Sequence, residues 1–163
     1  MIIAGVDEAG RGCLAGPVVA AAVILNSPIE NLNDSKKLSK KMREILYQKI
    51  LDTAQSVSIG IKWNDYIDKF NIKKASEHAM IDAIKRLNVK PDKILVDGFT
   101  LEIDVNNEGI IKGDQKIQQI MAASIVAKVT RDEIMRSFHY IYPAYDFISV
   151  SYTHLTLPTK EEV

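Results

Sequence analysis

The run Ile2-Ile3-Ala4-Gly5-Val6-Asp7-Glu8-Ala9-Gly10-Arg11-Gly12 constrains this chain more than any other stretch. Its apolar residues up to Val6 predict a buried strand. Asp7 and Glu8 then fall at the strand's end, where burying unpaired carboxylates would cost several kcal/mol. They need a partner, and a cation is the natural one. Two glycines around Arg11 let the backbone approach a ligand closely while N–H groups and the guanidinium face an anion. Alone, the acidic pair also fits a strand end with solvated acids, followed by a turn whose arginine makes a surface ion pair. Metal beside phosphate is the simplest chemistry consistent with the whole neighbourhood.

The rest of the chain bounds what such a site can belong to. A length of 163 residues, 47% hydrophobic and 26% charged, suits one globular domain able to bury a real core. The longest apolar stretch, residues 18–25, is too short to span a bilayer, and the N-terminus lacks the basic region and cleavage site of a signal peptide, so a cytoplasmic protein is expected. Cys13 is the single cysteine, which leaves neither an intramolecular disulfide nor a cysteine zinc cluster. Basic and acidic residues balance at 21 each, which argues against a strong non-specific nucleic-acid binder. Locally, Lys36, Lys37, Lys40, Lys41 and Arg43 form one basic cluster, and Lys112, Lys116, Lys128 and Arg131 another. Each reads either as a phosphate track or as a solvated helix face.

Residues 18–25, β-branched and alanine-rich, predict a central strand covered on both faces, joined to the first by an antiparallel hairpin. Ser39 is a plausible N-cap for a helix whose Leu38, Met42, Ile45, Leu46 and Ile50 form a core face. Over residues 56–63, Val57, Ile59, Ile61 and Trp63 alternate with Ser58, Gly60 and Lys62, the pattern of a half-buried edge strand with its apolar face inward. A helical stretch follows from Asn64, and Asn71 looks like a second N-cap. His78 and His139 read as packing residues. Lys93-Ile94-Leu95-Val96-Asp97-Gly98 repeats the opening logic, a short apolar strand presenting one carboxylate. After a polar connection that includes Asn107 and Glu108, Ile110-Ile111-Lys112-Gly113-Asp114 presents another. Residues 115–140 read as one long helix, whose Ala122, Ala123, Ser124 and Ala127 let it pack closely on the sheet.

Asp7 with Glu8, Asp97 and Asp114 thus share one context at strand ends. Carboxylates are the ligands that hard divalent cations such as Mg²⁺ and Mn²⁺ prefer. Several converging acids can hold two ions roughly 3.5–4 Å apart, which suits in-line displacement at phosphorus without a histidine base.

The opening run, continued through Cys13-Leu14-Ala15-Gly16-Pro17 to Ala20-Ala21-Ala22-Val23, resembles the D-E-x-G-R-G-x-x-x-G-P-x-x-x-A-A-V pattern of ribonuclease HII. Leu32-Asn33-Asp34-Ser35-Lys36-Lys37-Leu38-Ser39 and Ile67-Asp68-Lys69-Phe70-Asn71-Ile72 resemble two further segments of that family. The stretch from Gly113-Asp114-Gln115-Lys116 to Ile134-Met135 resembles its signature helix, with Met121 where alanine is more usual. The resemblance implies an α/β fold of the ribonuclease H type, a mixed sheet with an antiparallel start and a parallel continuation, flanked by helices. It implies Asp7, Glu8, Asp97 and Asp114 as catalytic metal ligands for two Mg²⁺ or Mn²⁺ ions. Gly10, Arg11 and Gly12 would contact the ribonucleotide, and Lys36 and Lys37 the nucleic-acid backbone. The implied reaction is hydrolysis 5′ of a ribonucleotide in an RNA–DNA hybrid or embedded in duplex DNA, leaving a 3′-hydroxyl and a 5′-phosphate, as in ribonucleotide excision repair. A monomer with no membrane association is expected.

The resemblance runs to residue 149, making residues 1–149 the expected catalytic domain, incomplete at its C-terminal end. Residues 150–163 instead resemble the translation of a transposase-end adaptor used in sequencing libraries, and a non-native tail is expected there. The family's K-G-Y tyrosine, which stacks at the ribonucleotide, has no match at Tyr152. A non-catalytic nucleic-acid-binding fragment of the same family is therefore the alternative. Another nuclease or transposase of the same broad fold is disfavoured, because those lack the G-R-G and N-D-S-K-K-L-S patterns.

Overall fold

The computed structural model describes residues 1–12 and 16–141, the last two as backbone only. Cys13, the 142–149 segment and the expected adaptor-like tail lie outside the described residues. Five strands form one sheet in the order β3-β2-β1-β4-β5: β1 (Ile3–Ala9), β2 (Val18–Ile24), β3 (Ser56–Lys62), β4 (Lys93–Asp97) and β5 (Asn107–Ile110). The expected antiparallel start is present, since β1 pairs with β2 and β2 with β3 antiparallel, while β4 lies parallel to both β1 and β5. Pairing with β2 carries β1 past both acids to Ala9, so Asp7 and Glu8 lie inside the strand rather than at its end, opposite Ala21 and Ala20. Asn107 and Glu108, expected in a connection, belong to β5.

Among the described residues three α-helices cover the sheet: α1 (Lys40–Thr53), α2 (Asn64–Lys85) and α3 (Gln118–Ile141). Strand residues alternate faces, and β2, buried at every position, shows what each face meets. Ala20, Ala22 and Ile24 pack with Ala79, Met80 and Ala83 of α2. Ala21 and Val23 pack with Leu46 and Ile50 of α1 and with Ala122, Ala123 and Ile125 of α3. Ser39 caps α1, its hydroxyl accepting from the Met42 N–H at 3.1 Å. Ile45 does not join the core face expected of it. It is 54% exposed, because α1 buries a stripe centred on Leu46 and Ile50 that is too narrow to include it. α2 is kinked at Asn71, where φ is +69°, and the Asn71 side chain accepts from the Lys74 N–H at 3.0 Å to start the second half. Asn71 is thus the second N-cap that its sequence context predicts.

β3 is an edge strand, but its faces invert the simple hydrophobic rule. Ser56, Ser58 and Gly60 are the buried set, while Val57, Ile59 and Ile61 are half-buried. The cause is the close approach of α2. A Cβ at Gly60 would stand 2.1 Å from the Ala79 carbonyl oxygen, and the Ser58 hydroxyl donates to the Ala83 carbonyl at 2.5 Å. Only small residues fit there, and Val57 and Ile59 pack against the α1–α3 layer instead.

The long helix expected from residue 115 begins later. A 3-10 turn at Gly113–Gln115 comes first, and α3 starts at Gln118. Lys112, at φ +54°, turns the chain out of β5 into that turn. Asp114 is therefore presented by a 3-10 turn rather than by the α-helix.

Candidate active site

Asp7 comes from the middle strand β1, Asp97 from the last position of the adjacent parallel strand β4, and Asp114 from the turn before α3. The β1–β4 pairing places Val6 beside Val96, so the two following aspartates emerge side by side. Oxygens of Asp7, Asp97 and Asp114 all lie within 4.8 Å of one another. The Asp114 N–H donates to Asp97 Oδ1 at 3.2 Å, and the Glu8 N–H to Asp7 Oδ1 at 2.8 Å. Glu8 lies outside this three-acid group, because neighbouring strand residues diverge. Its Oε2 is buried with no hydrogen-bond partner.

Electrostatics sets this end of the sheet apart. Burial first, then the charges of Glu8 and Asp97, push the Asp7 carboxyl well above the ordinary carboxylate range. Burial also raises Glu8, reinforced by Asp97 and partly offset by contact with the Asp7 carboxyl and by the Arg11 guanidinium. Asp114 is raised by burial, then by Asp97 and Asp34, with Lys36 opposing. Like charges held this close in a desolvated place are unfavourable without a cation. The orphaned Glu8 oxygen and the all-carboxylate donor set fit a hard divalent metal. This acidic cluster could hold one.

Arg11 stands at the same end, its guanidinium carbon 5.6 Å from the centre of the Phe99 ring. Gly10 has φ +97°, which favours glycine, and Gly12 is exposed. The two basic clusters part company. In the first, Lys36 reaches the site, with Nζ 3.6 Å from Asp114 Oδ2, while Lys37 is exposed on the same short turn. Arg43 faces inward as a brace, Nη1 donating to the carbonyls of Ser35 at 3.0 Å and Leu38 at 2.7 Å. The second divides: Lys112 and Lys116 are exposed on either side of the turn that carries Asp114, whereas Lys128 and Arg131 are engaged within the protein. Lys128 pairs with Asp132 at 3.0 Å, and Arg131 is only 2% exposed. Arg131 Nε donates to the Pro17 carbonyl at 3.0 Å. A Cβ on Gly10 or on Gly16, which has φ +90°, would collide with its side chain. The arginine backs the glycine-rich loop from behind.

Two further residues belong to this neighbourhood, and sequence reasoning did not single them out. Asp34, 2% exposed, acts electrostatically on Asp114 and Lys36. Its place just before the Ser-Lys-Lys turn was the available signal. Phe99, on which Arg11 rests, follows Asp97-Gly98 and gave no signal of its own.

The family model for ribonuclease HII matches residues 4–149. The chain is 51% identical over 162 residues to ribonuclease HII of Thermotoga maritima, covering 99% of this chain and 66% of that protein. It is 53% identical over 147 residues to ribonuclease HII of Ligilactobacillus salivarius, covering 89% of this chain and 58% of that protein. The chain thus spans less than two thirds of the length of these curated relatives. The crystal structure of ribonuclease H2 from Pyrococcus horikoshii OT3 superposes with a TM-score of 0.78 at 28% identity, covering 99% of this chain and 83% of that one. The fold is therefore the mixed ribonuclease H-like sheet that the sequence led us to expect. With the family's model matching most of its length, the chain belongs to the ribonuclease HII family.

Proposed function

We propose that this chain is a metal-dependent endoribonuclease. It hydrolyses the phosphodiester on the 5′ side of a ribonucleotide, in an RNA–DNA hybrid or embedded in duplex DNA, and leaves a 3′-hydroxyl and a 5′-phosphate. The observation that carries this reading is the convergence of Asp7 and Asp114, both buried, with the half-buried Asp97, mutually repelling, beside Glu8 and a glycine-flanked arginine. In it, Asp7, Glu8, Asp97 and Asp114 hold two Mg²⁺ or Mn²⁺ ions. Such ions, when bound, lower the pKa of attacking water and stabilise the leaving oxygen.

The protein's own part is placement. Arg11 and the backbone N–H groups of Gly10 and Gly12 face the ribonucleotide, where a contact to the 2′-hydroxyl separates RNA from DNA. Lys36 and Lys37 take backbone phosphates, which position the strand without reading its sequence. None of the described helices is long and apolar enough to cross a membrane, and we assign the protein to the cytoplasm as a monomer.

The test is incision of a duplex carrying one ribonucleotide, with Mg²⁺ or Mn²⁺ and with chelator as control. Cutting 5′ of the ribonucleotide only when metal is present is expected. A folded chain that binds the duplex without cutting it in any metal would overturn the reading in favour of a non-catalytic binding fragment.

A further inference from the structure

The turn that carries Lys36 is gripped from several sides. The Ser35 hydroxyl meets the Ser124 hydroxyl at 2.7 Å in a buried contact between segments far apart in sequence. Asp34 accepts from the Lys36 N–H at 3.1 Å, and Arg43 of α1 holds the Ser35 and Leu38 carbonyls. Backbone from Asp34 to Leu38 is therefore fixed. The Lys36 side chain is not, being 81% exposed, although its Nζ lies 3.6 Å from Asp114. A flexible lysine in water holds no geometry of its own. What the fold controls is where its stem begins.

Ser124 lies on α3, the helix entered directly from the turn that presents Asp114. A continuous piece of chain thus supplies the Asp114 carboxylate and grips the turn that brings Lys36 toward it. Buried serines that pair side chain to side chain across elements are a minority use of the hydroxyl, since most side-chain hydrogen bonds go to backbone or water. The small neighbours of Ser124 on α3 are Ala122, Ala123 and Ala127, set among the larger Ile125, Val126 and Val129 of the same core. An alanine at 124 would leave the buried Ser35 hydroxyl without this partner.

We propose that Ser124 is a positioning residue: through the Ser35 hydroxyl it sets the reach of Lys36 to the Asp114 edge of the acid cluster, where a nucleic-acid phosphate enters. This rests on the nuclease reading above. Ser124 touches neither substrate nor metal, and its effect passes through Lys36.

The experiment is a double-mutant cycle on affinity for a fluorescein-labelled RNA–DNA hybrid, read by anisotropy in chelator, with a thermal melt of each variant. Ser124→Ala is expected to weaken binding about fivefold in the wild-type background, the worth of one buried hydrogen bond. In the Lys36→Ala background the same change should cost less than about twofold, the non-additivity expected of residues that act as a unit. Ser35→Ala repeats the cycle from the other hydroxyl and covers the case in which Ser124→Ala fails to fold. Equal penalties in both backgrounds, or no penalty in either, would overturn the inference while leaving the nuclease reading intact. Wild-type protein that binds no hybrid in chelator and cuts none with Mg²⁺ or Mn²⁺ would instead remove the nuclease reading and this inference with it.

Discussion

Asp7 and Arg131 are both buried ionisable side chains, 4% and 2% exposed, and the protein treats them in opposite ways. Asp7 is surrounded by its own kind. Burial, Glu8, Asp97 and Asp114 all raise its pKa, and the ammonium of Lys36 pairs with Asp114 rather than with Asp7. Arg131 donates to the Pro17 carbonyl and fills the space that Gly10 and Gly16 leave open. A buried charge supplied with hydrogen-bonding partners serves structure, whereas one left among like charges stores free energy that a bound cation would release. The difference separates a binding site from its scaffold without reference to any ligand.

The largest effect should follow from relieving the stored repulsion. Asp97→Asn removes a carboxylate from the three-acid cluster, so on the proposed function metal-dependent incision should drop roughly a thousandfold or more, equivalent to several kcal/mol of transition-state stabilisation. The same change should raise the melting temperature in chelator, because Asp7, Glu8 and Asp114 each lose a repelling neighbour. Gel-based incision and a paired thermal melt measure both. Activity near wild type, or a lower metal-free melting temperature, would break the contrast at its acidic side.

Arg131→Met probes the other side. It keeps apolar bulk but leaves the Pro17 carbonyl without its donor, and a loss of about 3 kcal/mol in urea unfolding is expected. A phosphate contact would behave differently: stability would hold, while the dependence of hybrid affinity on salt would become shallower. That outcome would return Arg131 to the basic track in which its sequence neighbours place it.

These two residues also show what the sequence could and could not reveal. The acids were legible because an apolar run leading into a carboxylate recurs three times along the chain, and Asp7, Asp97 and Asp114 do come together, although Asp7 lies within β1 and Asp114 on a turn. The β1–β2 hairpin and the caps at Ser39 and Asn71 follow from local chemistry and are where that chemistry puts them. Arg131 carried no local mark. Nothing in Lys128-Val129-Thr130-Arg131 says that its side chain threads behind a loop formed more than a hundred residues earlier. The inverted faces of β3 were hidden for a related reason. Serine and glycine at Ser58 and Gly60 look like a solvent face until α2 comes close enough to exclude anything larger. Tertiary proximity, rather than propensity, decided each of these cases.

The acidic cluster should also be visible in metal-free stability as a function of pH. Carboxyls whose native pKa is raised keep protons that the unfolded chain has already released. Between the ordinary carboxylate range and the raised native values the native state holds the excess protons, so stability falls as pH rises. Each excess proton contributes a slope of up to about 1.4 kcal/mol per pH unit. Urea unfolding in chelator, stepped upward from pH 4, should show the decline, and Asp7→Asn should flatten it. A rising curve that Asp7→Asn leaves unchanged would mean that the cluster stores no such free energy.

The smallest effect expected belongs to Lys128, which shares a sequence cluster with Arg131 but neither its burial nor its task. Its ion pair with Asp132 spans one helical turn at 3.0 Å, with both side chains about a third exposed. Pairs of this kind contribute about 0.3–0.5 kcal/mol, because water screens the attraction and holding two long side chains costs entropy. Lys128→Ala should therefore shift urea unfolding by no more than that, and leave hybrid affinity unchanged at every salt concentration. Lys36→Ala, which removes a far more exposed cation, 81% against 37%, aimed at Asp114, should weaken hybrid binding and reduce the salt slope by about one. If both lysines altered the salt slope equally, charge count along the chain would predict the nucleic-acid surface as well as the fold does. Unequal slopes would show that each lysine's work is set by what stands opposite it, an aspartate on its own helix in one case and the acid cluster in the other.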